Sequence, residues 1–153
     1  MTGRIAGLIP EPEKQTVAWT EALVRRIVDD VGAGRDCSDL IARIDAQAGS
    51  PGYTADTFAS LHEWTSERDF AARAAMGRPP AVPDLTEEEV DECLRIVGAG
   101  GGPVADYVVD LLGNSFPGVP VSDLIFGYET PEGDAGLAAE IVRRGREARP
   151  ILL

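Results

Sequence analysis

One stretch of this chain is written twice, and that restricts its possible folds more than any other feature. Trp19-Thr-Glu-Ala-Leu-Val24, running on to Val31-Gly-Ala-Gly34, is matched 66 positions later by Leu85-Thr-Glu-Glu-Glu-Val90, running on to Val97-Gly-Ala-Gly100. Pro51-Gly52 recurs at the same offset as Pro117-Gly118. The match extends to buried faces. Val24, Ile27, Val28 and Val31 stand at i, i+3, i+4 and i+7, which lines one side of a helix, and Val90, Cys93, Leu94 and Val97 take the same four places. Phe70, Ala71, Ala74 and Ala75 are mirrored at an offset of 67 by Leu137, Ala138, Ile141 and Val142. Repetition of this kind turns one chain of ordinary domain length into two small copies of a unit.

The pattern within each copy is helical. Residues 1–18, with Pro10, Pro12 and the only lysine, Lys14, read as an irregular N-terminal arm. Trp19 and Thr20 open the first helix, the indole folding over Val24 as a hydrophobic staple, and Gly32-Ala-Gly34 stops it. A second helix covers about Ser38 to Ala48, a short turn lies around Phe58 and Leu61, and Ser66 caps a helix that ends near Gly77. Residues 79–84 form a proline-rich linker, because prolines so closely spaced stiffen the chain and forbid helix.

The second copy opens on a capping box, Thr86-Glu-Glu-Glu89, with Leu85 and Val90 as its staple pair. Gly98 to Gly102 ends that helix, and Pro103 suits the first turn of the next, whose Val104, Val108, Leu111 and Leu112 are expected to face inward. Asp106 and Asp110, four apart, project together on another face. Ser122 can cap a single turn at Asp123-Leu-Ile-Phe126, and Pro131 to Gly136 leads into a closing helix. Alternation of period two is absent, so the fold class expected is all-α: two four-helix modules in tandem, residues 19–78 and 85–153, each with a short third helix.

The charge is −12 in total, and unevenly spread. Residues 1–80 carry nine basic and twelve acidic side chains, residues 81–153 five and fourteen; from Asp84 to Asp123 nine acids face only Arg95. On charge alone the preferred reading is a solvated acidic surface that aids solubility; the other is that such a field repels nucleic acid and speeds encounter with a basic protein. No apolar run approaches the roughly 20 residues needed to cross a bilayer, and the start lacks the layout of a signal peptide, so no membrane association and a cytoplasmic location are expected. The two cysteines, one on a helix core face and one in a connection, do not read as a disulfide framework.

Four helices in so small a unit, with a third of barely one turn reading Ser122-Asp-Leu-Ile-Phe126, resemble the colicin and pyocin nuclease immunity family. The likeness covers about Asp84 to Leu153 and keeps the family's order: the Thr-Glu-x-Glu helix start, a second helix, the Asp-Leu-Ile-aromatic turn, and a Pro-Glu-Gly approach to the last helix. The resemblance implies an inhibitor that binds a basic bacterial nuclease toxin beside its active site and excludes nucleic acid by bulk and negative charge. The short third helix would supply the shared contact, and acidic or variable residues of the second helix would choose the partner. By position, Asp123 matches the family's acid and Phe126 the first of two adjacent tyrosines. Gly127 stands where the second belongs, with Tyr128 one residue further on. The first copy has Ala55-Asp-Thr-Phe58 in place of the recognition turn.

The candidate partner-binding residues are therefore Asp106, Asp110, Ser122, Asp123, Phe126 and Tyr128. An aromatic anchor on a rigid turn beside a carboxylate suits a basic protein. The competing reading is that Leu124, Ile125 and Phe126 plug the small core, leaving Asp123 as a cap. That reading is preferred for Ile125, and for Phe126 the two are evenly balanced. A binding partner of basic character that is not a nuclease, with the chain as an adaptor or scaffold, is the alternative function. Enzyme chemistry finds little support: His62 is the only histidine and lacks a Cys or Ser partner, Cys93 sits at a helix core position, and no Cys/His metal spacing exists. No cofactor is expected.

Overall fold

The computed structural model describes residues 3–126 and 133–148, with side chains from residue 136 onward in the second stretch. Among the described residues every regular element is helical and no strand occurs. None of these helices is long and apolar enough to cross a membrane. The chain divides into two compact units, one of residues 10–78 and the other of the residues up to Ile9 together with those from Pro79 onward.

In residues 10–78 the helices are α2 (Lys14–Gly32), α3 (Ser38–Gln47), α4 (Ala55–Ala59), a 3-10 turn at Leu61–Glu63, and α5 (Glu67–Met76). Nothing between Lys14 and Ala18 breaks a helix, so α2 begins five residues before Trp19, just past Pro12. This corrects the expected start. Trp19 stands mid-helix and outward, with the Arg43 guanidinium 4.6 Å over its ring, while Thr20, expected at the cap, is fully buried. Its hydroxyl donates to the Thr16 carbonyl at 2.7 Å and accepts from Gln47 Nε2 at 2.9 Å, which satisfies a polar group that burial would otherwise penalise. The core joins Leu23, Val24 and Ile27 of α2 to Ile41 and Ile44 of α3, Phe58 of α4, Leu61, and Phe70, Ala71 and Ala74 of α5. Phe58 and Phe70 meet ring to ring at 5.3 Å. Ser66 caps α5 as expected, accepting from the Asp69 N–H, and Gly77 at φ +76° ends it in a conformation that only glycine adopts readily.

The other unit holds α6 (Glu87–Gly98), α7 (Pro103–Ser115), α8 (Val121–Phe126) and α9 (Gly133–Ala148), and it also claims the first helix of the chain, α1 (Gly3–Leu8). The capping box forms as read: Thr86 Oγ1 accepts from the Glu89 N–H at 3.2 Å, and Glu89 Oε1 accepts from the Thr86 N–H at 3.0 Å. Val90, Cys93, Leu94 and Val97 all point inward, as do Leu137, Ala138, Ile141 and Val142 on α9. On α7 the buried stripe is turned by one residue: Val104 is 43% exposed, while Ala105 and Tyr107 join Val108, Leu111 and Leu112 inside.

Two expectations about connections are overturned. The segment read as an N-terminal arm over 1–18 is helical on both sides of Pro10–Pro12, and its first part belongs to the unit that starts at Pro79. Ile5 is fully buried there, Ile9 nearly so, and the Tyr107 hydroxyl donates to the Leu8 carbonyl at 3.1 Å. Residues 79–84 likewise are not a free linker. Asn114 Nδ2 donates to the Pro79 carbonyl at 2.9 Å, and the Val82 N–H donates to Ser115 Oγ at 2.9 Å, which ties the proline segment to the end of α7.

Arg4 fastens α1 to the start of α6, reaching Glu89 at 2.7 Å and Asp84 at 3.1 Å. The hydrogen bond from Arg4, then that from the Thr86 N–H, holds the Glu89 carboxyl down at about 2, against an ordinary value of 4.5. A carboxyl depressed in the folded state adds stability that is complete above its unfolded value and lost as pH falls towards the folded one. Stability should therefore drop as pH falls from about 4.5 to about 2, and Glu89→Gln should flatten that part of the curve while lowering the plateau above it. Urea unfolding at a series of pH values measures both effects, and parallel curves for the two proteins would contradict the assignment.

Candidate functional site

The site read from sequence sits on α7 and α8, and the local chain explains which residues it turns outward. Phe116 and Val119 are buried, so the segment Phe116–Pro120 is nailed to the core at both of its apolar residues. The Val119 N–H donates to the Phe116 carbonyl at 3.1 Å, Gly118 takes φ +86°, and the Leu124 N–H donates to the Pro120 carbonyl at 3.0 Å, closing the first turn of α8. With Val121 and Leu124 inward, helical geometry sends Ser122, Asp123 and Phe126 to the opposite side. Ser122 is thus inside the helix and exposed; Val121 is its first residue, which corrects the expected cap.

Phe126 is 68% exposed. Ile125 is half-buried, so the core-plug reading applies to Leu124 and in part to Ile125, but not to the ring. The comparison with α4 is informative, because there the single aromatic, Phe58, is only 1% exposed. A one-turn helix of this kind can be closed by an inward ring or by an inward leucine, so the fold itself does not require a phenyl group in water.

Asp123 is exposed, and among the described residues no basic side chain pairs with it. A groove of about 320 Å³ runs between α7 and α8, lined by Asp110 and Asn114 on one side and by Val119, Val121, Ser122 and Asp123 on the other. The structure therefore brings Asp110, Ser122 and Asp123 to one groove, with Phe126 one turn along from Asp123. Asp106 is exposed one turn before Asp110. Tyr128 and Gly127 lie outside the described residues.

Close packing beneath this site makes a further expectation testable. A Cβ built on Gly145 of α9 would lie 2.5 Å from Phe116 Cδ1, and Phe116 is too buried to retreat. Glycine to alanine within a helix ordinarily gains about 0.5–1 kcal/mol. Here overpacking should outweigh that gain, with a net loss of about 1–3 kcal/mol for Gly145→Ala in thermal or urea unfolding. A stabilised variant would show that Phe116 moves aside freely.

Other chemistry-bearing side chains offer less. Burial, then Glu92 and Glu89, pushes the Cys93 thiol up to about 12, and burial also raises Cys37; both are free and buried. A thiol so hard to ionise is a poor nucleophile. His62 is exposed, with Nε2 3.6 Å from Glu67. Arg143 pairs with Glu140 and Glu147, and Arg144 with Glu140, so these two arginines do not make a free basic patch. Among the described residues no three His, Cys, Asp or Glu side chains are grouped to hold a metal ion. A larger cavity of about 600 Å³ lies in residues 10–78, beside the α2–α3 turn and the start of α4, with Ile41, Cys37 and Tyr53 in its lining. Sequence reading passed over Trp64, which is 58% exposed. Its only signal was its place outside every apolar stripe, two residues ahead of the Ser66 cap.

Comparison with protein families, curated proteins and solved structures finds no match to this chain.

Proposed function

We propose that this chain is an immunity-type inhibitor, which binds a basic bacteriocin nuclease through α7 and α8 and denies it nucleic acid. The observation that carries the reading is the exposure of Phe126 beside Asp123, which has no basic partner among the described residues, on a turn whose other side is fixed in the core. An exposed ring on a rigid backbone loses little entropy when it is buried by a partner, and it costs solvation until then. The carboxylates of Asp106, Asp110 and Asp123 supply a field of the sign that speeds encounter with a cationic surface. A nuclease binds its substrate through such a surface, so an acidic ledge seated there blocks access by bulk and by charge. The Ser-Asp-Leu-Ile-aromatic turn, in its order among the other helices, supports the same reading, as does the bias of acidic residues in the second half of the chain. A cytoplasmic location belongs to this proposal.

The test is direct. The purified chain is mixed with basic bacteriocin-type nucleases, including any encoded beside it, and cleavage of nucleic acid is followed. Inhibition at equimolar protein is expected, and unchanged cleavage with all of them would overturn the proposal. A second reading, that the chain is an adaptor for a basic protein that is not a nuclease, draws on the sequence at Gly127, which stands where the immunity turn carries its second tyrosine. Capture of a basic non-nuclease through Phe126, with no inhibition of any nuclease, is the result that would select it.

A further inference from the structure

Residues 10–78 present a ring of their own. Trp64 follows the 3-10 turn Leu61–Glu63, and its indole rests against Phe70 at 5.9 Å. Phe70 is in turn held by Phe58 and Tyr53, so the indole stands on a packed aromatic base. The core is closed without it, because Phe58 and Leu61 already fill it from this segment. A tryptophan that touches its own protein along one edge and leaves most of its surface in water is arranged as an interface anchor.

Carboxylates near it in sequence outnumber the exposed Arg68 of the same turn and indicate what it would meet. Glu63 precedes it and Asp69 lies in the first turn of α5; both are exposed, and among the described residues neither has a basic partner. The other tryptophan provides the contrast. The outward ring of Trp19 already has the Arg43 guanidinium 4.6 Å from its centre, so the place of a cation over that indole is taken. Over Trp64 no such stacking occurs among the described residues. We infer that Trp64, with Glu63 and Asp69, forms a second docking point for a basic protein segment, in which a lysine or arginine stacks on the indole and is balanced by the carboxylates. It is built from other residues than the α7–α8 ledge, and shares with the proposed function only the sign of the partner.

The two indole N–H resonances of the intact protein separate the possibilities, once assigned with Trp19→Phe and Trp64→Phe. The probe is a lysine- and arginine-rich peptide without aromatic residues. The Trp64 resonance is expected to shift saturably while that of Trp19 stays in place, and Glu63→Gln with Asp69→Asn should weaken the effect several-fold. No shift at Trp64, or equal shifts at both indoles as diffuse attraction would produce, overturns the inference. Phe126→Ala should leave the Trp64 response intact. Loss of the response in that variant would place the signal at α8 and sink the second docking point, leaving the immunity reading standing. A saturable Trp64 response in a chain that inhibits no nuclease would do the reverse.

Discussion

Phe126→Ala is expected to weaken binding of the proposed basic partner by about thirtyfold or more, at least ~2 kcal/mol, as for an anchor at the centre of an interface. The stability of the free protein should stay within about 0.5 kcal/mol of the parent, because the ring touches little of its own fold and a surface truncation removes little packing. The contrast with Phe58 makes the result diagnostic. That ring is buried in the core of residues 10–78, and Phe58→Ala should cost about 3–5 kcal/mol of folding stability. Asp123→Asn should act differently again, by slowing association and flattening its dependence on salt, since an exposed charge steers more than it holds. Titration calorimetry with the partner and urea unfolding without it are sufficient measurements. Unchanged affinity for Phe126→Ala would remove the central claim.

The second large effect concerns the beginning of the chain. Ile5 is fully buried on a helix of only six residues, and it lies in the unit that resumes at Pro79. Ile5→Ala should cost about 2–4 kcal/mol, the transfer of the lost methyl groups plus the cavity left behind. Deleting residues 1–9 should cost more, since it also releases the Arg4 pairs with Glu89 and Asp84 and the bond from Tyr107 to Leu8. Hydrogen exchange should place the loss in α6 and α7, which those contacts reach. Unaltered protection there would mean that α1 is an appendage, as residues 1–18 read from sequence.

The parts of the fold that were legible are those coded by local rules. The Thr86–Glu89 capping box, the Ser66 cap, the Gly77 stop and the inward faces of α6 and α9 each depend on residues within one or two turns, so spacing alone reveals them. The starts of α2 and α8 were misread by a few residues of local sequence, whereas other misread places were decided by a partner distant in sequence. Thr20 resembles a cap until Gln47 is seen to satisfy its hydroxyl. The stripe of α7 is turned because Tyr107, a residue polar enough to pass for surface, reaches back to Leu8.

The candidate site divides along the same line. Asp123 and Phe126 could be placed on one face of a turn from their spacing, but two outcomes for the ring were balanced, because an apolar residue at the end of a short helix satisfies either equally well. Sequence by itself determined the all-helical class, the repeated faces, the acidic bias and the Ser-Asp-Leu-Ile-Phe turn, since these follow from periodicity and composition. Only the tertiary structure decided that Phe126 is in water and Phe58 is not, and that α1 completes the unit beginning at Pro79. Burial is the sum of all neighbours around a side chain, and those neighbours come from positions that no local pattern specifies.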